Sequence, residues 1–106
     1  MLESSQIYGI LHSIHREGSS FNISLDYDQR KRKSYELLSM IRNGRVEDFY
    51  DILLKIYMSA NRPVPASLIS LLNSQDELGF QARAYAFMSG FLGNEKIVPL
   101  THDRQG

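Results

Sequence analysis

Cysteine is absent from this chain of 106 residues, which removes disulfides, thiolate metal sites and cysteine nucleophiles together. Long apolar runs are absent too, since no stretch approaches the roughly 18 to 20 residues that a membrane span needs. Met1 to Ser5 has neither a basic start nor a following apolar block, so no secretory leader is expected and the cytoplasm is the expected location. No glycine-rich phosphate loop occurs. Net charge is missing as well: twelve basic residues balance twelve acidic ones. With 42% hydrophobic and 23% charged residues, the composition is that of one small folded domain, away from disordered chains.

The zero net charge conceals a segregation. Residues 29–45 hold Arg30, Lys31, Arg32, Lys33, Arg42 and Arg45 against Glu36 alone, so half of the chain's positive charge falls in one short segment. The flanking segments 1–28 and 46–60 are net acidic.

Periodicity predicts an all-α bundle of four to five helices over residues 1–93, followed by a tail at 94–106. Ile7, Ile10, Leu11 and Ile14 recur at helical spacing within 3–16, and Gly18-Ser19-Ser20 ends the pattern. Phe21, Ile23 and Leu25 alternate with polar residues, a period of two that suits a short extended segment or edge strand near 21–25. Asp28 is placed to cap the next helix, which carries Leu37, Leu38 and Ile41 and ends near Gly44. Another helix covers about 46–59, where Phe49, Ile52, Leu53, Ile56 and Tyr57 form a stripe opposite Asp48, Asp51 and Lys55. Pro63 and Pro65 interrupt the chain, and 66–73 makes a short helix. A last helix opens at Ser74 or Gln75 and closes at Gly93, before a Pro99-containing tail.

That last helix is apolar on nearly every side. Phe80, Ala84, Phe87, Met88 and Phe91 share a stripe, and Ala82, Tyr85, Ala86 and Leu92 spread over its flanks, with Arg83 its one charge. A helix hydrophobic all round must be covered all round, and so short a chain offers little covering material. Part of this helix is therefore expected to meet another polypeptide, with Arg83, Tyr85 and Leu92 as candidate subunit contacts. Arg83 would pair there with an acid of the neighbouring subunit or touch a phosphate. Gly90 and Gly93 read as features of the helix end.

No catalytic constellation emerges. His12 and His15 are three apart without an acidic or cysteine partner at ligand spacing, and Glu47, Asp48 and Asp51 have the spacing of an ordinary solvated helix face. Neither an enzyme nor a metal or other cofactor is expected. The basic run is the one polar feature that stands out. Four successive side chains point round most of a helix and cannot all face the core. Lys31, Tyr35 and Arg42 share a stripe with Arg32 close by, which sets an aromatic ring among cations and suits a phosphate backbone. The plain alternative is a solubilising face.

The block from Glu36 to Asn73, ELLSMIRNGRVEDFYDILLKIYMSANRPVPASLISLLN, together with FQARAYAFMSGFLG at 80–93, resembles the C-terminal helical region of the large subunit of a type I-B CRISPR Cascade complex, which is also made separately as the small subunit. The resemblance lies in Arg42-Asn43-Gly44, Arg62-Pro63-Val64-Pro65 and Ala84-Tyr85-Ala86-Phe87 with Gly90 and Gly93, and it leaves residues 1–28 unmatched. It implies a non-catalytic subunit present in several copies, beside the large and backbone subunits. Its contacts would be guide RNA, target DNA and the displaced non-target strand. Arg30, Lys31, Arg32, Lys33, Arg42 and Arg45 would carry nucleic-acid contact, with Arg62 and Arg83 next. Two other readings stand beside it: a helix-turn-helix DNA reader built on the two helices joined at Gly44, and a helical interaction module whose basic run is merely solvated.

Overall fold

The fold is a computed structural model that describes residues 2–93, so the tail expected at 94–106 lies outside the described residues. Five helices follow one another: α1 (Ser4–Ser19), α2 (Tyr27–Arg42), α3 (Val46–Ser59), α4 (Ala66–Asn73) and α5 (Gly79–Leu92), with no strand among the described residues. No helix there is long and apolar enough to cross a membrane.

Helix boundaries follow local chemistry. Asp26, two residues before the expected cap Asp28, begins α2: its carboxylate accepts the Gln29 amide at 2.8 Å, while the Gln29 side chain accepts the Asp26 amide at 3.2 Å. Asp28 sits instead in the first turn, where an acid suits the helix dipole. At the other end the chain turns through Gly44, whose φ of +64° is costly for a residue with a side chain. Helices α3 and α4 keep the bounds expected from the sequence, but α5 starts at Gly79, four or five residues later than expected.

The alternation at 21–25 is not a strand. The α1 helix continues to Ser19 and unwinds through successive turns, with the Phe21 amide donating to the Gly18 carbonyl, Asn22 to Ser19 and Leu25 to Phe21. These turns bury Phe21 and Leu25 but leave Ile23 98% exposed, so the inward positions lie four apart rather than two. Phe21 then becomes the centre of an aromatic cluster, edge-on to Tyr57 at 4.7 Å and to Phe91 at 5.5 Å between ring centroids.

Most of the apolar surface of α5 is covered inside this chain. Helices α1, α2 and α4 pack on it, and every residue from Arg83 to Phe91 except the half-buried Tyr85 is buried. The crossing with α1 depends on two glycines. A Cβ on Gly90 would lie 2.0 Å from the His15 carbonyl oxygen, and one on Gly18 would lie 2.2 Å from that of Phe87. Gly90 is thus a point of backbone contact rather than part of a helix terminus. Gly93 is the residue that ends α5, at φ +110°.

Candidate nucleic-acid interface

Helix α2 turns one face to the core through Arg30, Ser34, Leu37 and Ile41, and this division sorts the basic run. Arg30 belongs to the inner face. Its Nε donates to the Leu25 carbonyl at 3.0 Å, and Nη1 donates to the carbonyls of Phe91 at 3.2 Å and Leu92 at 3.0 Å. A cation on the terminal carbonyls of α5 complements the negative end of that helix dipole. Arg30 is therefore a structural cap and is withdrawn from the expected nucleic-acid set.

Lys31, Arg32 and Arg42 are exposed, and none forms a salt bridge among the described residues. They share the outer arc of α2 with Tyr35, which is 65% exposed. Lys33 lies on the flank towards α3 and pairs with Glu36 at 3.6 Å, while Arg45 pairs with Asp48 at the start of α3. Both pairs sit in solvent, where such contacts are weak and their cations remain available to stronger anions. The expected stripe of Lys31, Tyr35 and Arg42, flanked by Arg32, thus exists as a surface.

Arg62 is committed elsewhere. Its Nη2 donates to Glu17 Oε2 and its Nη1 to Ser20 Oγ, each at 3.0 Å, and the guanidinium stands 4.3 Å from the centroid of Phe21 and 5.1 Å from that of Tyr57. The Tyr57 hydroxyl donates to the same Glu17 oxygen at 2.7 Å. Burial, and then the hydrogen bond to Glu17, push the Tyr57 phenol far above its ordinary range, so it stays a neutral donor. This network ties the end of α1 to the end of α3. Alanine at Arg30 or Arg62 is expected to lower stability by about 1–3 kcal/mol through lost carbonyl, carboxylate and ring contacts. Thermal denaturation of the two variants checks this, and oligonucleotide affinity of the folded Arg62→Ala protein is expected to match wild type.

Arg83 is fully buried and satisfies an acid of its own chain. Its guanidinium donates to both carboxylate oxygens of Asp76 and to the Leu71 carbonyl, tying the α4–α5 connection to α5. It is not available to a neighbouring subunit or to a phosphate. Tyr85 and Leu92 remain half-buried on α5. Leu92 lines a cavity of about 140 Å³ between α2 and α5, together with Tyr27, Lys31, Ser34, Tyr35 and Met88. Tyr27 and Ser34 were not singled out in the sequence, where Tyr27 falls before the expected helix and Ser34 carries no charge.

The two histidines do not share an environment: His12 is exposed and stacked on Tyr8, whereas His15 is buried at the α1–α5 crossing. Among the described residues no group of three or more histidine or acidic side chains converges as a metal site would require. Comparison with protein-family models, with curated proteins and with solved structures finds no significant match to this chain.

Proposed function

We propose that the protein is a non-catalytic, nucleic-acid-binding small subunit of an RNA-guided DNA-surveillance complex of the CRISPR Cascade type, acting in the cytoplasm. The observation that carries the reading is the outer face of α2, where Lys31, Arg32 and Arg42 stand exposed around Tyr35 and form no ion pair among the described residues. Such a face neutralises phosphates and offers a ring to a base, without reading sequence. One copy provides few contacts, and several copies in a row strengthen them through avidity. Replacement of a DNA duplex by an RNA–DNA heteroduplex is close to balanced, so modest contacts to the target strand, the guide and the displaced strand tip it towards the open state.

Sibling copies and the large subunit would meet the chain away from the covered core of α5. The exposed apolar residues Ile23, Leu54 and Met58 suit that contact, the last two being neighbours one turn apart on α3. The helix-turn-helix alternative is weakened by Glu47 and Asp48 in the first turn of α3, where a recognition helix approaches the groove.

The test is a complex reconstituted with its large subunit and guide RNA, carrying Lys31→Ala, Arg32→Ala and Arg42→Ala together. The opened DNA is expected to close at least about tenfold faster, with assembly intact, because three phosphate contacts are gone. Unchanged closing with intact assembly would leave only a scaffold role.

A further inference from the structure

The cavity between α2 and α5 opens beside the cationic face and has a composition that phosphate contact does not require. Its volume of about 140 Å³, open to solvent on one side, is of the order of an apolar protein cavity that accepts benzene, about 150 Å³, and so offers room for part of a planar ring system. Met88 and Ser34, 6% and 5% exposed, form its inner part, whereas Tyr27 and Tyr35, 53% and 65% exposed, stand at its rim. Among the described residues the Ser34 hydroxyl has no hydrogen-bond partner, an uncommon state for a buried polar group. Lys31 also lines the cavity, exposed and without a carboxylate partner among the described residues.

We propose that this cavity seats one unstacked base of a single-stranded nucleic acid, a deepening of the function proposed above that rests on it. The occupant follows from the combination of groups. The apolar inner surface and the two tyrosines take the faces of a ring, since base–aromatic stacking is sequence-tolerant and contributes to single-strand binding. A nucleobase, unlike an apolar aromatic side chain, carries polar edge atoms that a rotated Ser34 hydroxyl can meet. It also arrives attached to a phosphate that Lys31 can pair with, and the strand continues towards Arg42 and Arg32 on the same face of α2. The cavity thereby gives the single strand a fixed register on a surface that otherwise attracts phosphates without order.

The experiment is equilibrium binding of the full chain, at low salt, to fluorescent 12-mers of thymidylate, adenylate and abasic deoxyribose phosphate. Thymidylate and adenylate are each expected to bind about tenfold more tightly than the abasic strand, the order of effect of one stacked base. Tyr35→Ala, at an exposed position, and Ser34→Leu, which fills the cavity, are both expected to abolish the preference while retaining salt-sensitive binding. Should Ser34→Leu fail to fold, Tyr35→Ala and the wild-type comparison decide alone. Equal wild-type affinity for abasic and thymidylate strands overturns the base seat but leaves the phosphate-binding function standing. A preference for base-bearing strands that survives Tyr35→Ala likewise overturns it. Loss of subunit assembly in these variants with oligonucleotide binding unaltered assigns the cavity to a protein side chain and overturns the proposal. Absence of binding to all three strands sinks the base seat and the nucleic-acid function together.

Discussion

Gly90→Ala is expected to destabilise the protein by about 3 kcal/mol or more, the upper part of the range for forcing volume into a packed core. In a domain of this size that corresponds to a fall in melting temperature of roughly 12–24 °C. The added methyl would stand 2.0 Å from the His15 carbonyl oxygen and 3.0 Å from the Ser19 amide nitrogen, both backbone atoms of α1. Neither can rotate away as a side-chain tip would, so the two helices must separate and the packing of Ile14, Phe87 and Phe91 must loosen with them. Gly18→Ala meets the same crossing from the other side and should behave alike. Gly9→Ala is the control. It lies within α1 with nothing within 4 Å of its added methyl, and is expected to raise stability by about 0.5–1 kcal/mol by restricting the unfolded chain and favouring helix. Thermal or urea denaturation of the three variants measures the contrast, and equal, small effects at Gly9 and Gly90 would contradict the close crossing.

The second large effect belongs to Arg83→Ala, for which a loss of about 3–5 kcal/mol is expected from the cavity left at a fully buried site and from the Leu71 carbonyl left without its donor. Arg83→Met should cost less, because it restores most of the volume and buries no charge. The size of that difference separates packing from pairing. Denaturation at several pH values adds an independent check. The hydrogen bond from Arg83 holds the Asp76 carboxyl below the ordinary carboxylate range. A depressed carboxyl stabilises the folded state in full above its unfolded pKa of about 3.9 and loses that contribution as pH falls through the lower folded value. The stability gap between wild type and Arg83→Ala is therefore expected to hold at neutral pH and to narrow below about pH 4. A gap constant down to pH 2 would show that the carboxylate contributes nothing.

Much of this fold was legible in the sequence because its breakers are local. Gly44, Pro63, Pro65 and Gly93 interrupt strong apolar periodicity, and α3 and α4 keep their expected bounds. The misread features are those in which a residue answers to something distant in the chain. Phe21 and Leu25 show a period of two only because Ile23 stands between them, and the turns that point Ile23 outwards are fixed by the end of α1. The apolar circumference of α5 signalled a helix that is covered over most of its length, from Arg83 to Phe91. What it could not specify was the covering, which comes from α1 approaching at Gly18 and Gly90. A signal was present there, since an interior helical glycine costs stability and usually has a packing reason.

The sequence places Lys31, Arg32 and Arg42 on an outward stripe but does not say which of Arg30 to Lys33 turns inward, since four consecutive helical positions sweep most of the circumference. Arg30 does so, and its partners, the last carbonyls of α5, lie some sixty residues away. Arg62 and Arg83 were drawn inward in the same way by Glu17 and Asp76. Lys31, Arg32 and Arg42 kept the role expected of their stripe as an exposed cationic face, because no acid comes within pairing distance of them among the described residues.

The division between structural arginines and a phosphate-binding face is tested most directly by the salt dependence of single-strand binding. Affinity of the full chain for a 12-mer of thymidylate would be measured across a series of salt concentrations for wild type, Arg62→Ala and the Lys31, Arg32, Arg42 triple alanine variant. For wild type and Arg62→Ala, log affinity is expected to fall against log salt with a slope near −2, as three phosphate contacts at about 0.7 each imply for a single strand. The triple variant is expected to lose most of that slope with its melting temperature unchanged. A triple variant that keeps the wild-type slope, or a wild-type chain that shows none, would contradict the assignment of the α2 face to nucleic acid.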